Sequence, residues 1–350
     1  MTGARDCTVA ACDLRNSEVG VYIGDDTHGC QVLGCDITQT QGDGVSIIGT
    51  SRDHERVSDH VVDNCYIYDI GWGRIHNRCG GVYMHRCSRV KLTHNHVHDT
   101  PRYALGMDVG NDCEFAYNYC HDVNLVTADS SIIEAATALD WGMTVDEQRA
   151  RHDPHNWGNT VHHNLIHDSG GWGTNRTTGE LEAPYYTWGI YLDIDCSGWH
   201  IHRNVCYTTV LGGFMQNGGY ETVVENNIFV DGQRSQIYWN PWSGRNMHGH
   251  RCERNILVSP GRGADIYRIG GGFEDHRVGF GDNLVWAGEA SPAISGIPGL
   301  RKKDAWDAWT AGGHDEAPAS PTPSLSTRPT ATTASSPRPP RLRWALRPSI

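Results

Sequence analysis

Residues 201–206 read IHRNVC and residues 224–229 read VENNIF. Both follow one template: an apolar residue, two variable residues, Asn, one variable residue, then an apolar residue. The template recurs ten times, with Cys or Asn at its fourth place: Cys12, Cys35, Cys65, Asn95, Asn118, Asn164, Asn204, Asn227, Asn255 and Asn283. Successive copies are separated by 23, 30, 30, 23, 46, 40, 23, 28 and 28 residues, a basal period of 23. Self-similarity at such a period is the mark of a repeat architecture in which each unit buries its apolar face only by stacking on the next.

A second short segment recurs in most copies: GVYIG (20–24), GVSII (44–48), GVYMH (81–85), ALGMD (104–108), GIYLD (189–193) and QIYWN (236–240). Apolar and polar residues alternate along it, as in a strand with one buried face. Two β segments per unit, without helical periodicity between them, predict an all-β fold: a single-stranded right-handed parallel β-helix of about ten coils, with long loops in the central coils. The repeated Asn is expected at a turn, where Asn tolerates unusual backbone angles and can bond its neighbours as an inward ladder. Cys12, Cys35 and Cys65 are expected as free thiols filling the same place, because the cysteine spacings match no zinc site.

The domain prediction is a β-helix over 1–315, apparently without an N-terminal cap, since the first copy begins nine residues from Met1. Residues 316–350 are rich in Pro, Ser, Thr and Arg, lack periodicity and are expected to be disordered. The chain carries a net charge of −12 and three lysines, Lys91, Lys302 and Lys303, so no basic stripe exists to neutralise phosphates and no nucleic-acid partner is expected. No apolar run is long enough for a membrane span, and no membrane partner is expected. The first twenty residues lack the apolar core of a signal peptide, which predicts a cytoplasmic chain as it stands, or a secreted one if an N-terminal portion precedes it. Twelve Trp, fourteen Tyr and twenty His suit surfaces that stack on neutral polar ligands.

The two longest intervals adjoin. They contain DWGMTVDEQRARHDPHNWGN (140–159) and GGWGTNRTTGELEAPYYTW (170–188). Insertions in a solenoid emerge as loops on one face, often the binding face. Aligning the second strands gives an outward column at Gly24, Ile48, His85, Asp108, Ala136, Asp193, Asn217 and Asn240. The adjoining column is Tyr22, Ser46, Tyr83, Gly106, Glu134, Tyr191, Met215 and Tyr238. In GIYLDID, Asp193 and Asp195 alternate with Leu192 and Ile194, so both carboxylates are expected on one outward face. Trp141, Trp172 and Trp188 lie in or beside the long loops and are candidates to stack on sugars, together with Tyr191, His85, Asn217 and Asn240 as binding residues. His98, His121 and His167, each followed by Asp, share one repeat position and read as a stacked turn motif rather than a metal row.

The repeat, with Asp129-Ser130-Ser131 and Gly189-Ile190-Tyr191-Leu192-Asp193, resembles the right-handed parallel β-helix proteins of the pectin-lyase-like superfamily, particularly β-helix glycoside hydrolases, over roughly residues 5–315. The resemblance implies paired carboxylates on neighbouring coils of a central cleft: Asp129 and Asp193, with Asp195 as neighbour. Ser131 and Glu134 stand where such proteins tend to have a Gly and an aromatic residue, so Glu134 competes with Asp129 as the acid, and Asp193 is the candidate base or nucleophile. Asp108, in the column of Asp193, is the alternative partner. The leading functional expectation is a glycoside hydrolase acting on a polysaccharide or oligosaccharide, with no cofactor or metal. The alternatives are a polysaccharide lyase or uronate epimerase, which would call for Ca²⁺, and a non-catalytic carbohydrate-binding or adhesive β-helix.

Overall fold

The computed structural model describes residues 1–315 except 52, 74–78, 138–156, 176, 242–246, 261–262, 272–276, 290 and 298–301. The expected tail over 316–350 lies outside the described residues. Met1–Ala317 form one compact unit. Its strands assemble into three long parallel sheets. Sheet I has ten strands from Thr8–Ala10 to Val278–Gly281, and sheet II ten from Asp13–Arg15 to Leu284–Trp286. Sheet III runs from Val21–Ile23 to Ile294–Ser295. Each coil contributes one strand to each sheet in turn, which makes the fold a right-handed parallel β-helix. No described helix is long and apolar enough to cross a membrane.

The template residues before and after each Asn, such as Val161 and Ile166 or Ile201 and Cys206, are buried in one continuous core. The Asn side chains sit in that core and form a directed chain of hydrogen bonds. Asn95 Nδ2 donates to Asn118 Oδ1 at 3.1 Å, and the same bond links Asn118 to Asn164 at 3.0 Å. It continues from Asn164 to Asn204 and from Asn204 to Asn227, both at 2.9 Å. Asn227 then reaches Asn255 at 3.0 Å and Asn255 reaches Asn283 at 2.9 Å. Each Oδ1 also accepts the backbone N–H of the preceding ladder residue, as Asn164 Oδ1 does from Asn118 N at 2.9 Å. The second amide proton goes to a carbonyl of the preceding coil, as from Asn164 to Phe115 O at 2.9 Å. Every polar atom of these buried amides is thereby paired.

The expected positive φ falls elsewhere. It belongs to the residue before the ladder position: φ is 54° at His94, 58° at Tyr117, 53° at His163 and 55° at Arg203. The preceding residue turns the corner and the Asn supplies inward hydrogen bonds, so ladder bonding rather than backbone tolerance selects Asn. The cysteines are free, as expected. Cys65 Sγ points to Val32 O at 3.6 Å, one coil back, which is the contact that Asn95 Nδ2 makes with Val62 O at 2.9 Å.

The chain closes the ladder with a different element. After the helix Lys302–Ala311, the buried Asp315 accepts from Asn283 Nδ2 at 2.7 Å with Oδ1. Its Oδ2 accepts from Tyr267 Oη at 2.7 Å and Trp309 Nε1 at 3.1 Å. Trp306 and Trp309 of the same helix are buried in the core.

Removing one amide from the ladder's middle strands donors that cannot reach water, at about 1–3 kcal/mol for each buried unsatisfied group. Asn164→Ala is therefore expected to lower stability by about 3 kcal/mol, read as a shifted urea midpoint. Asn95→Cys, at the junction where cysteines already take over, is expected to cost about 1 kcal/mol.

Candidate functional site

The strand Thr187–Asp193 positions the central carboxylate. It enters sheet III through Gly189, where a Cβ would lie 2.6 Å from Gly213 O of the next coil and against Cys206 Sγ, so only glycine admits that approach. Ile190 and Leu192 point into the core, and Tyr191 and Asp193 point outward.

Register confirms both outward columns, including the irregular copy Ser130–Ala136. His85 pairs with Asp108, Asp108 with Ala136, and Ala136 with Asp193. Glu134 pairs with Gly106 and with Tyr191. Two coils therefore separate Asp108 from Asp193, roughly 10 Å at about 4.8 Å per coil, with the methyl of Ala136 between them.

Asp193 is held from several sides. Asn217 Nδ2 donates to its Oδ1 at 2.7 Å, the Ile194 N–H donates to the same oxygen at 2.8 Å, and the Tyr191 hydroxyl bonds its carboxyl. Asn240 Nδ2 donates in turn to Asn217 Oδ1 at 2.7 Å, and Tyr238 Oη to Asn240 Oδ1 at 3.1 Å. Burial raises the Asp193 carboxyl to about 6; the Asn217 bond opposes this and the nearby Glu134 adds to it. Across the gap, Tyr83 Oη donates to Asp108 Oδ2 at 2.8 Å.

Other expected members of the site are placed differently. The strand ends at Asp193, and Ile194 and Asp195 turn with φ of 48° and 60°. Asp195 is therefore not a same-face neighbour of Asp193; its Oδ1 accepts Gly219 N at 3.0 Å and anchors a corner. Asp129 lies at the other end of its strand, with its N–H on Tyr186 O at 2.8 Å. Its backbone is seven residues from the Ala136–Asp193 level, roughly 20 Å at about 3.3 Å per residue, so it does not face Asp193 across one glycosidic bond. Glu134 is an ion-pair partner: Arg102 Nη2 approaches its Oε1 at 2.9 Å, and Ser130 Oγ and Ser131 N donate to Oε2 at 2.6 and 3.2 Å. Both of its oxygens are thereby engaged within the protein.

Trp188 and Tyr191 are not an open platform either. Both are buried with Val210, Leu211 and Met215 in a small cluster outside the solenoid, with Tyr186 and Tyr238 packed against it. Trp172 is 49% exposed and can stack on a ligand. It precedes an antiparallel pair, Gly173–Thr174 with Leu181–Glu182. Trp141 and most of the first long insertion lie outside the described residues. A hollow of about 430 Å³, lined by residues including Tyr185, Tyr186, Gln233 and Arg234, adjoins the start of the Trp188 strand rather than Asp193.

The structure also adds residues that the sequence reading passed over. The aligned column stopped at Tyr238, yet Arg268 continues the series Tyr191, Met215, Tyr238 and lies 4.9 Å from the Tyr238 ring centroid. The signal was present in DIYRI (265–269), which repeats the GVYIG pattern one coil beyond the aligned segments. Arg102 and Tyr83 bind carboxylates through contacts between coils that no spacing reveals. Among the described residues, no group of three or more His, Cys, Asp or Glu side chains is arranged to hold a metal ion.

Fold and outward columns together define a right-handed parallel β-helix protein. The family model for a right-handed β-helix region matches residues 1–140. Among solved structures, the chain is similar to the surface adhesin PfbA of Streptococcus pneumoniae. One structure of it gives 10% identity and a TM-score of 0.51 over 84% of this chain and 68% of that one. Another gives 10% identity and a TM-score of 0.50 over 80% and 62%, so this chain spans less than two thirds of that one. The catalytic domain of a GH87 α-1,3-glucanase aligns at 14% identity and a TM-score of 0.46, over 85% of this chain and 49% of that one. No curated protein matches the sequence.

Because the folded Asp193 holds its proton more tightly than an unfolded Asp, its contribution to stability is complete below about pH 4 and is lost as pH rises through about 6. Wild type is expected to lose about 2 kcal/mol relative to Asp193→Asn between pH 4 and 8. Paired urea denaturations should give a difference curve that falls from about pH 4 and levels off above about 6.

Proposed function

We propose that the protein is a carbohydrate-active β-helix, and that the Asp193 column is a glycoside-cleaving site working on a polysaccharide or oligosaccharide. One observation carries the reading: a carboxyl raised to about 6 shares an outward column with a second carboxylate two coils away, with only Ala136 between them.

Glycoside hydrolysis requires one carboxyl to protonate the leaving oxygen and another to activate water or attack the anomeric carbon. Asp193 suits the acid, because it keeps its proton into the mildly acidic range and Asn217 and Tyr191 orient it. Asp108, receiving the Tyr83 hydroxyl, suits the base. This reverses the role first expected for Asp193 and replaces Asp129 and Glu134 as its partner. A backbone separation of roughly 10 Å lies just above the range of about 6.5–9.5 Å that leaves room for a water and far from the roughly 5 Å of retaining sites, which favours inverting chemistry. Asn240, next to Asn217 in the same outward column, is placed to supply hydrogen bonding for a sugar ring.

The test is release of reducing ends from a panel of neutral and acidic glycans, with absorbance monitored for unsaturated uronates. Cleavage is expected to give inverted product by NMR and to decline as pH rises through about 6. Asp193→Asn and Asp108→Asn should each lower kcat by about 10²–10⁴-fold. Unsaturated products would assign a lyase instead. Glycan binding without cleavage, unaffected by Asp193→Asn, would assign a binding module.

A further inference from the structure

The outward face of sheet II carries a row of rings that the Asp193 site does not use. Tyr68, His98, His121, His167 and Tyr207 share one register position on five successive coils. Their rings stack face to face, with centroids 5.4, 4.9, 5.2 and 4.5 Å apart and planes within 17°. The following aspartates turn the chain, with φ of 52° at Asp99, 48° at Asp122 and 55° at Asp168. That is the stacked turn motif expected from the sequence, and it also does something to the imidazoles.

Each Nδ1 meets the Oδ2 of the next residue: His98 with Asp99 at 2.9 Å, His121 with Asp122 at 2.7 Å and His167 with Asp168 at 2.8 Å. A carboxylate only accepts, so each neutral ring carries its proton on Nδ1 and leaves a lone pair on Nε2. All three Nε2 atoms aim at the neighbouring column of Tyr66, His96 and Tyr119. His98 Nε2 accepts from Tyr66 Oη at 2.9 Å, and His167 Nε2 from Tyr119 Oη at 3.2 Å. His121 meets another imidazole instead: its Nε2 lies 2.8 Å from His96 Nε2. Burial, followed by the neighbouring His98 and His121, lowers His96 to about 4.

We propose that His96 Nε2 and His121 Nε2 together bind one late first-row divalent cation of the Zn²⁺ or Cu²⁺ class on this face. Metal–nitrogen bonds of about 2.0–2.1 Å in a tetrahedral shell place two nitrogens about 3.3 Å apart, so the pair need open only about 0.5 Å. His96 moves its proton to Nδ1 and offers Nε2 to the metal. Asp122 already plays the part that carboxylates play behind metal-bound histidines, fixing the tautomer and orientation of His121. Solvent completes the shell. Imidazole ligation without thiolate or a carboxylate cage favours Cu²⁺ and Zn²⁺ over Mg²⁺ and Ca²⁺.

The full chain is titrated with Zn²⁺ by calorimetry, and Cu²⁺ is added for electron paramagnetic resonance. One equivalent of Zn²⁺ is expected, with nitrogen hyperfine coupling from at least two imidazoles in the Cu²⁺ spectrum of the wild type. His96→Gln and His121→Gln should each weaken binding at least tenfold, and Asp122→Asn severalfold. A His162→Gln/His202→Gln double variant, which alters a stacked pair of sheet I histidines with ring centroids 4.8 Å apart, should leave it unchanged. No Zn²⁺ uptake, a Cu²⁺ spectrum without nitrogen coupling, or binding lost only in the sheet I variant would overturn the proposal. The wild-type spectrum decides the matter even if a variant fails to fold.

Discussion

The column of buried asparagine amides is the interaction on which the rest of the molecule depends. A β-helix coil has no covalent or helical constraint that sets its height, and its backbone ladder alone tolerates slippage. An amide at the same corner of successive coils removes that freedom, because its donors and acceptor are all satisfied only when the coils are in register. The chain of bonds has a direction, each Nδ2 donating to the Oδ1 of the next coil, so its last member, Asn283, is left with a donor that needs an acceptor. Asp315 supplies the final acceptor, and Tyr267 and Trp309 satisfy its other oxygen. The segment after the C-terminal helix is therefore part of the stacking machinery.

Register set in the core determines what meets outside it. Because the same strands carry inward Ile190 and Leu192 and outward Tyr191 and Asp193, aligning the first pair aligns the second. A second directed chain then appears on the surface of sheet III, from Tyr238 through Asn240 and Asn217 to Asp193. It runs opposite to the inner ladder and likewise ends on a carboxylate. The inner chain stabilises the stack. The outer one fixes the orientation of a carboxyl whose environment favours the protonated form, which is the arrangement that proton-transfer chemistry exploits. Sheet II uses the same periodicity differently, stacking imidazoles whose tautomers are set by their own turn residues.

Much of this was legible before any coordinates. The outward columns of sheet III, including the irregular copy at Ser130–Ala136, follow from alternation within strands and recurrence between coils. What failed was local or depended on loops. GIYLDID alternates through Asp195, but the strand stops at Asp193 because the corner begins at Ile194. Asp129 and Asp193 each belong to neighbouring coils, yet they occupy opposite ends of their strands, a difference that coil counting alone does not register. Trp188 and Tyr191 point outward and are still buried, because Tyr186, Val210, Leu211 and Met215 pack over and beside them.

By itself, the sequence determined the parallel β-helix, the cysteine-to-asparagine ladder and the two outward columns, because each is a periodic property and periodicity survives in one dimension. Only the tertiary structure decided that Glu134 is neutralised by Arg102, that Asp193 is desolvated and oriented by Asn217, and that His96 and His121 meet nitrogen to nitrogen. Burial and charge pairing arise between residues that are 24, 25 or 32 positions apart in the chain. Which of the many side chains at such separations touch depends on rotamers and on the loops that cover them, and no repeat encodes either.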